Sequence, residues 1–241
     1  MLHKTRGIVL HYIRYGETSI IAHIYTELFG RQSYIINKVR SKRPSFSLNF
    51  FQPLTILDIE SYYKPSHDIQ RIKEIKRHIP LDQIYSDIFK SSIAIFIAEI
   101  IYKTLYEAES NPSMFNFLIH SIQFLDLMKK GISNFHLVFL IQYSKYLGIF
   151  PQFQLDTLNE EITRKRFTEQ LMENTPFMNL SENARKILSE LTRQSFQNLE
   201  SIDIISKIRI EILDKLVEFY KLHFENIAQI NSLKILKEVF H

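Results

Sequence analysis

The sequence predicts an α+β chain with two domains, an N-terminal OB-fold β-barrel over residues 1–80 and an all-α helical domain over residues 81–241. The first part is rich in β-branched and aromatic residues between turn signals, which is typical of short strands. The second part carries apolar residues at helical spacing between capping and glycine signals. Charge also divides the chain, because residues 1–80 hold 13 Lys and Arg against 6 Asp and Glu, whereas the remainder holds 17 against 20.

Five strands are expected in the first part, which is the strand number of an OB-type barrel. Gly16 and Gly30 mark the two turns between the first three strands, and Pro44 and Pro53 mark the loop before the fourth. The segment predicted as the fifth strand also fits a helical period. The predicted strands are Gly7–Arg14, Thr18–Thr26, Gln32–Val39, Leu54–Tyr62 and Ile69–Lys76.

Helix boundaries in the second part are predicted from proline, glycine and capping residues. Pro112 follows Asn111 as a helix start, and Gly131 and Gly148 each follow the last residue of a periodic segment, where a left-handed C-cap is favoured. Residues 149–180 are expected to be irregular. The predicted helices are one long or two abutting helices in Leu81–Glu109, then Pro112–Lys130, Asn134–Leu147, a helix from the N-cap Ser181 to Thr192, Ile204–Phe224 capped by Ser201 or Asp203, and Ser232–Val239.

Composition predicts a cytoplasmic protein that has no membrane partner. The chain has no Cys, which excludes disulfides and thiolate metal sites and suits a reducing compartment. The N-terminus lacks the long apolar stretch of a signal peptide. The most apolar segment, Ile93–Ile101, is interrupted by Glu99 and is too short to span a bilayer.

No enzymatic motif is present, so a non-enzymatic protein without cofactor, metal or catalytic residues is predicted. The five glycines do not have the spacing of a P-loop or a dinucleotide-binding fingerprint, and no Gly-x-Ser-x-Gly elbow occurs. Glu99 is interpreted as the i,i+4 ion-pair partner of Lys103 rather than as a catalytic carboxylate. His11 and His23 are placed to face each other across a hairpin, and they are interpreted as ordinary strand-surface residues rather than as a functional pair.

The basic residues of the strand-rich part predict a surface that binds nucleic acid. They lie at strand ends and in one loop, interleaved with Tyr12, Tyr15, Tyr25 and Tyr34, some of which must belong to the core. Cations neutralise the phosphate backbone and aromatic rings stack on bases, a combination used by proteins that bind single strands. The alternative is a scaffold protein whose barrel binds a protein partner. The candidate DNA-binding residues are Lys4, Arg6, Arg14, Arg31, Lys38, Arg40, Lys42 and Arg43.

Six segments, in order along the chain, resemble the RecO family of bacterial recombination mediators. They include an Ile-Val-Leu strand, a Tyr-Gly-Glu turn, a basic loop after the third strand and a Leu-Gly-aromatic-x-Pro segment after the central helices. The segments are TRGIVL from residue 5, YGETSII from residue 15, YTELFG from residue 25, VRSKR from residue 39, FQPL from residue 51 and YLGIFP from residue 146.

This resemblance implies a DNA repair and homologous recombination function. Family members bind single- and double-stranded DNA, anneal complementary strands, and help load the RecA recombinase onto DNA coated by single-stranded DNA-binding protein. The implied partners are RecR, the acidic C-terminal tail of single-stranded DNA-binding protein and, in some bacteria, RecF. The tail is expected on the helical domain, with candidate basic residues Lys129, Lys130, Lys145, Lys207 and Arg209 at the rim of its groove.

One departure from the family concerns zinc. Many members follow the Leu-Gly-x-x-Pro segment with a four-ligand zinc site rich in Cys, but residues 152–183 contain neither Cys nor His. A tetrahedral structural zinc site needs such ligands, so we expect no bound zinc. Apolar packing in the irregular region, which replaces the family's zinc site, is expected instead from Leu155, Leu158, Phe167, Leu171 and Phe177.

Overall fold

The computed structural model describes residues 2–41, 44–106, 108–149 and 175–240 of this 241-residue chain. The chain forms two compact units, Met1–Leu127 with Ile230–Leu236, and Met128–Gln229 with Lys237–His241. The first unit therefore contains the barrel and also the helices that directly follow it. The assignment of residues 1–80 and 81–241 as separate domains stays a prediction.

Five strands form a closed barrel, as predicted. They are β1 (Leu2–Tyr15), β2 (Ser19–Thr26), β3 (Gly30–Ile36), β4 (Ile56–Tyr62) and β5 (Ile69–Arg77). The strands are hydrogen-bonded in the order β1-β2-β3-β5-β4, and only the β3–β5 pairing is parallel. The long strand β1 pairs with β4 through its first half and with β2 through its second half. β3 ends earlier than predicted, because Lys38 takes a positive φ of 59° in the turn that follows.

The barrel interior is filled by the alternate residues of each strand, as the period of two requires. Ile20, Ile24 and Tyr34 are fully buried there. Gly7 is needed for this packing, since a Cβ at that position would lie 2.6 Å from Ile24 Cγ2 and 2.7 Å from Ile59 Cδ1. The side chains of Ile24 and Ile59 can thus pack directly over the backbone of β1.

Three helices follow the barrel in the first unit: α1 (Asp82–Ser86), α2 (Ile88–Thr104) and α3 (Pro112–Leu127). The sequence left open one long helix or two abutting helices before Glu109, and the structure has two, because the Asp87 side chain caps α2 by accepting hydrogen bonds from the backbone N–H groups of Phe89 and Lys90. Asn111 Oδ1 likewise accepts a hydrogen bond from Met114 N at 3.0 Å and caps α3.

The described residues of the second unit form three α-helices, α4 (Phe135–Tyr146), α5 (Glu182–Leu191) and α6 (Ser206–His223). The last helix, α7 (Ser232–Val239), lies in the first unit as far as Leu236. The predicted C-cap of α4 is confirmed, because Gly148 has φ 70° and Ile149 N donates to Ser144 O, which is the Schellman arrangement. Ser181 Oγ caps α5, as predicted. None of the helices in these described ranges has the length and apolar character needed to cross a membrane.

Three sequence expectations about the helices are wrong. α3 ends at Leu127 rather than at Lys130. Gly131 has the predicted left-handed conformation, with φ 70°, but it precedes a 3-10 turn instead of capping α3. A Cβ on Gly131 would lie 2.6 Å from Leu199 O, so close backbone packing explains this glycine. Neither Ser201 nor Asp203 caps α6, whose N-cap residue is Ile205 and has no side-chain cap.

Of the residues expected to replace a zinc site, Phe177 is buried against Phe219, and the other four lie outside the described residues.

Candidate nucleic-acid interface

The predicted DNA-binding residues do not form one surface. Arg6 and Arg14 are both on β1, eight residues apart, which is about 26 Å along an extended strand. Arg14 is paired with Ile20, and Ile20 with Ile36, so Arg14 lies in the same row as the end of β3. Arg6 is instead paired with Asp58 on β4. We call the region of Arg14, Lys38 and Arg40 the loop end and the region of Lys4 and Arg6 the paired end.

At the paired end, acidic residues balance the basic ones. Arg6 donates two hydrogen bonds to the Glu27 carboxylate, at 2.6 Å and 2.9 Å. These bonds lower the pKa of Glu27 and raise the pKa of Arg6. Lys4 is directly opposite Glu60 on β4, just as Arg6 is opposite Asp58. A groove of about 450 Å³ at this end is lined by Lys4, Thr5, Arg6, Glu27, Asp58, Ile59, Glu60, Glu74 and Lys76.

That groove has more carboxylates than cations, four against three, so it has no net attraction for a phosphate backbone. Lys76 lies 3.0 Å from Glu74, and Lys73, just outside the groove, lies 3.0 Å from Glu60. These acids lie in the turn after β2 and on β4 and β5, far along the chain from Lys4 and Arg6, and only the strand register brings them together.

Arg31 is used to hold a helix against the barrel. Its Nη1 donates to Tyr102 O on α2 at 2.9 Å, and its guanidinium lies over the rings of Tyr102 and Tyr106, 5.3 Å and 5.1 Å from their centroids. His11 and His23 face each other across the hairpin, as predicted, with parallel rings 6.3 Å apart. Both rings also contact Tyr102, and burial lowers the pKa of both imidazoles.

The loop end carries three exposed cations, Arg14, Lys38 and Arg40. Arg40 N donates to Thr18 O at 3.0 Å, which ties the loop after β3 to the turn between β1 and β2. Ser41 Oγ donates to Lys38 O at 2.8 Å and stabilises the tight turn of that loop. Within the described parts of the chain, no carboxylate forms an ion pair with any of these three side chains. Lys42 and Arg43, also predicted for the site, lie outside the described residues.

The four interleaved tyrosines have different roles. Tyr34 is fully buried in the barrel, and burial raises its pKa to about 12. Tyr25 is also buried, with its ring 6.0 Å from that of Phe115. Tyr12 is half-buried against the barrel core. Tyr15 keeps 53% of its surface exposed, so it alone among the four presents a ring to solvent.

Sequence reasoning missed a second groove on the barrel, of about 650 Å³, between β3, β5 and the turn that joins β4 to β5. It is lined by Ile35, Tyr62, Lys64, His67, Ile69, Gln70 and Arg71. The signal that could have identified it is the alternation of β5, whose sequence fits a strand and a helix equally well. Once Ile69–Arg77 is a strand, Arg71 falls on the exposed face.

In the helical part, the structure divides the five candidate rim residues. Lys145 Nζ donates to Thr192 O at 2.9 Å, and burial lowers the pKa of this lysine. Arg209 donates to Asn134 Oδ1 and to Ile204 O, and burial lowers its pKa as well. Lys129, Lys130 and Lys207 are exposed.

Glu99 forms the predicted ion pair with Lys103 at 3.4 Å and also has a partner that was not predicted. Its carboxylate accepts hydrogen bonds from Asn231 N, Ser232 N and Ser232 Oγ, which caps the start of α7. These bonds and Lys103 outweigh the opposing effect of burial and lower the pKa of Glu99.

No cluster of three or more metal-ligating side chains occurs in the ranges that the structure describes.

Comparison with known proteins identifies the family. Residues 1–78 match the family model described as recombination protein O N terminal, and residues 85–233 match the model described as recombination protein O C terminal. Relatives named DNA repair protein RecO are 37% identical in Bacteroides fragilis, 35% in Azobacteroides pseudotrichonymphae and 35% in Flavobacterium psychrophilum. The first two alignments cover all of both chains, and the third covers 98% of each. The chain therefore belongs to the RecO family.

Proposed function

We propose that this chain is a DNA repair and homologous recombination mediator that binds single- and double-stranded DNA without reading its sequence. It anneals complementary strands and, with RecR, helps load RecA onto DNA coated by single-stranded DNA-binding protein. It acts without catalysis, in the cytoplasm, and is associated with the nucleoid when bound to DNA. The observation that carries the proposal is the loop end, where three exposed cations lie at one end of the barrel of a RecO-family chain and form no ion pair with any described carboxylate.

The physical basis is neutralisation of phosphates. Each phosphate contacted by Arg14, Lys38 or Arg40 releases condensed counterions, so the logarithm of the affinity falls linearly with the logarithm of the salt concentration. The expected slope is about −0.9 per phosphate for duplex DNA and about −0.7 for single strands. Binding of this kind positions the backbone and does not discriminate between sequences.

The test is a salt titration of the full chain against labelled single-stranded and duplex oligonucleotides. Replacing Arg14, Lys38 and Arg40 together with Ala should weaken binding and reduce the magnitude of the duplex slope by up to about 2.7. The matched control replaces Lys186, Lys215 and Lys237, which removes the same charge but from lysines that are ion-paired with Glu182, Glu218 and Asp214. Equal losses in the two variants, or a salt-independent affinity of the unmodified chain, would contradict the proposal.

The tail of single-stranded DNA-binding protein is proposed to bind the helical part of the chain. An acidic peptide that ends in apolar residues needs an apolar groove with free cations at its rim. Lys129, Lys130 and Lys207 are exposed and therefore available as rim cations, whereas Lys145 and Arg209 are engaged in internal hydrogen bonds. Replacing the three exposed lysines with Ala in the full chain should weaken binding of a labelled tail peptide, and unchanged binding would contradict this rim.

A protein partner on the barrel is a second candidate, favoured at the paired end. The mixed carboxylates and cations of that groove suit the mixed charges of a protein surface better than a polyanion. RecR, and in some bacteria RecF, would be such partners. If the barrel bound only a protein, the chain would form a complex with that partner and would not shift a labelled oligonucleotide at any salt concentration.

A further inference from the structure

The second groove of the barrel has an exposed aromatic and aliphatic floor. Tyr62 on β4 is paired with Arg71 on β5, and Arg71 with Ile35 on β3, so the three side chains form one row across the outer face. Ile69, two residues before Arg71, shares that face. Tyr62 keeps 50% of its surface exposed and Ile69 keeps 42%, which leaves an apolar platform open to solvent.

The turn beside this platform is held in one conformation by a buried side chain. Gln70, only 3% exposed, accepts a hydrogen bond from Lys64 N at 3.0 Å and donates to Lys64 O at 2.9 Å and to His67 O at 2.5 Å. The groove side chains of Lys64 and His67 are therefore carried by a fixed backbone. Such preorganisation lowers the entropy that a ligand must overcome on binding.

The neighbouring tyrosine fixes the direction in which Tyr62 points. Tyr63 stacks on Phe29, with ring centroids 4.0 Å apart and planes 13° apart, and it also contacts the edge of His3. Because successive side chains of an extended segment point to opposite sides, anchoring Tyr63 directs Tyr62 outward into the groove. The exposed ring is thus a consequence of the packing beneath it.

The charges at this groove differ from those at the paired end. Arg71 and Lys64 form no ion pair within the described parts of the chain, although Lys73 and Lys76 on the same strand are both paired with glutamates. The lining of the groove contains no Asp or Glu. An apolar platform with free cations beside it suits a planar, apolar group that carries negative charge on either side, which describes an unpaired base with its flanking phosphates.

We infer that this groove binds an unpaired base of single-stranded DNA, stacked on Tyr62, with phosphates contacted by Arg71 and Lys64. This inference rests on the proposed function and adds a preference for single strands over duplex. In a duplex, each base is already stacked between its neighbours, so only its phosphates are available to the groove. The loop end supplies affinity for any nucleic acid backbone, and the groove supplies the discrimination.

The test compares two tyrosines of nearly equal exposure on the same barrel, Tyr62 and Tyr15, in the full chain. Tyr62→Ala should weaken binding of a labelled oligo-dT strand by about fivefold or more, in line with stacking energies of at least about 1 kcal/mol per base. Its affinity for duplex and its salt slope should stay unchanged. Tyr62→Phe should retain the single-strand affinity, because the ring face remains.

Tyr15→Ala is the matched control and should leave the ratio of single-strand to duplex affinity unchanged. Arg71→Ala should instead reduce the magnitude of the single-strand salt slope by about 0.7. Because the chain has no Cys, Ser66→Cys in the turn between β4 and β5 can be labelled with a fluorophore. Single-stranded DNA should change the fluorescence of that label more than duplex does.

Three outcomes would overturn the inference. If Tyr62→Ala binds single strands as the unmodified chain does while both still bind DNA in a salt-dependent manner, the groove is not the site and the proposed function stands. If the variant loses duplex and single-strand affinity equally, with an unchanged thermal melt, the groove does not discriminate. If the unmodified chain binds no DNA at all, the proposed function fails and the inference fails with it.

Discussion

The two ends of the barrel contain the same residue types and use them differently. At the paired end, Lys4 and Arg6 are opposite Glu60 and Asp58, and Arg6 is bonded to Glu27. At the loop end, Arg14 and its neighbours in the loop after β3 are exposed and have no acidic partner in the described ranges. From this difference we infer that a cation is available to a phosphate only where no carboxylate already binds it. We expect substitutions at the paired end to change stability and substitutions at the loop end to change DNA affinity.

The largest expected difference concerns the two glycines, Gly7 near the paired end and Gly16 in the loop-end turn. Gly7→Ala would place a methyl group 2.6 Å from Ile24 and 2.7 Å from Ile59, so we expect a loss of about 1 to 3 kcal/mol of unfolding free energy from overpacking. A Cβ at Gly16 would have no atom within 4 Å, so Gly16→Ala strains only the backbone, which has a positive φ there. This strain should cost about 1 kcal/mol of unfolding free energy. Urea denaturation of both variants measures the difference. Equal losses would show that packing at Gly7 is not limiting.

The second prediction compares Arg6 with Arg14. Arg6→Ala removes two hydrogen bonds to Glu27 and a contact with the Phe115 ring, so it should cost about 1 to 2 kcal/mol of stability. Its DNA affinity should change little. Arg14→Ala should leave the melting temperature nearly unchanged and should reduce the duplex salt slope by about 0.9. If Arg6→Ala lowered the salt slope as much as Arg14→Ala does, the expected difference between the two ends in DNA binding would be wrong.

The third prediction concerns pH. The pKa of Glu27 in the folded chain lies below its ordinary value of 4.5, mainly because of the hydrogen bonds from Arg6. The folded state therefore binds this proton less tightly than the unfolded state. The resulting stabilisation of the folded chain is fully present at pH values above the ordinary pKa of Glu27. It is lost as the pH falls through the lowered folded pKa. Glu27→Gln should be less stable than the unmodified chain at pH 7, and this difference should shrink on acidification below about pH 4.

The matched control for this pH experiment is Glu17→Gln in the loop-end turn. Glu17 forms no ion pair in the parts of the chain that the structure describes, so its replacement should change stability by less than about 0.5 kcal/mol. Denaturation curves at several pH values measure both variants. A difference for Glu27→Gln that persists at low pH would show that the ion pair is not its source.

Much of the fold could be predicted because its signals are local. The five strands follow from alternation and turn residues, and the caps at Asn111, Ser181 and Gly148 follow from the chemistry of helix ends. Predictions failed where a distant contact decides the local structure. Gly131 indicated a helix end in the sequence, but its place depends on the approach of the backbone at Leu199.

The site could be predicted only in part, for the same physical reason. The density of basic residues indicated the barrel, but no local pattern shows that Arg31 contacts Tyr102 or that Arg6 contacts Glu27, 21 residues away. The groove beside Tyr62 depends on the parallel β3–β5 pairing, which the sequence does not reveal.

The expectation that the chain binds no zinc stays a prediction, and metal analysis of the purified chain, with a thermal melt before and after chelation, tests it.

The smallest expected effect lies within the loop end itself, at Lys38, whose φ of 59° is unusual for a residue with a side chain. Lys38→Gly relieves backbone strain of about 1 kcal/mol but raises the conformational entropy of the unfolded chain, so the net gain in stability should be below about 1 kcal/mol. Lys38→Ala removes the same charge and keeps the strain. Both variants should reduce the duplex salt slope equally, by about 0.9, since charge alone sets it. If Lys38→Gly lost more affinity than Lys38→Ala, the fixed turn itself, and not only its charge, would contribute to binding at the loop end.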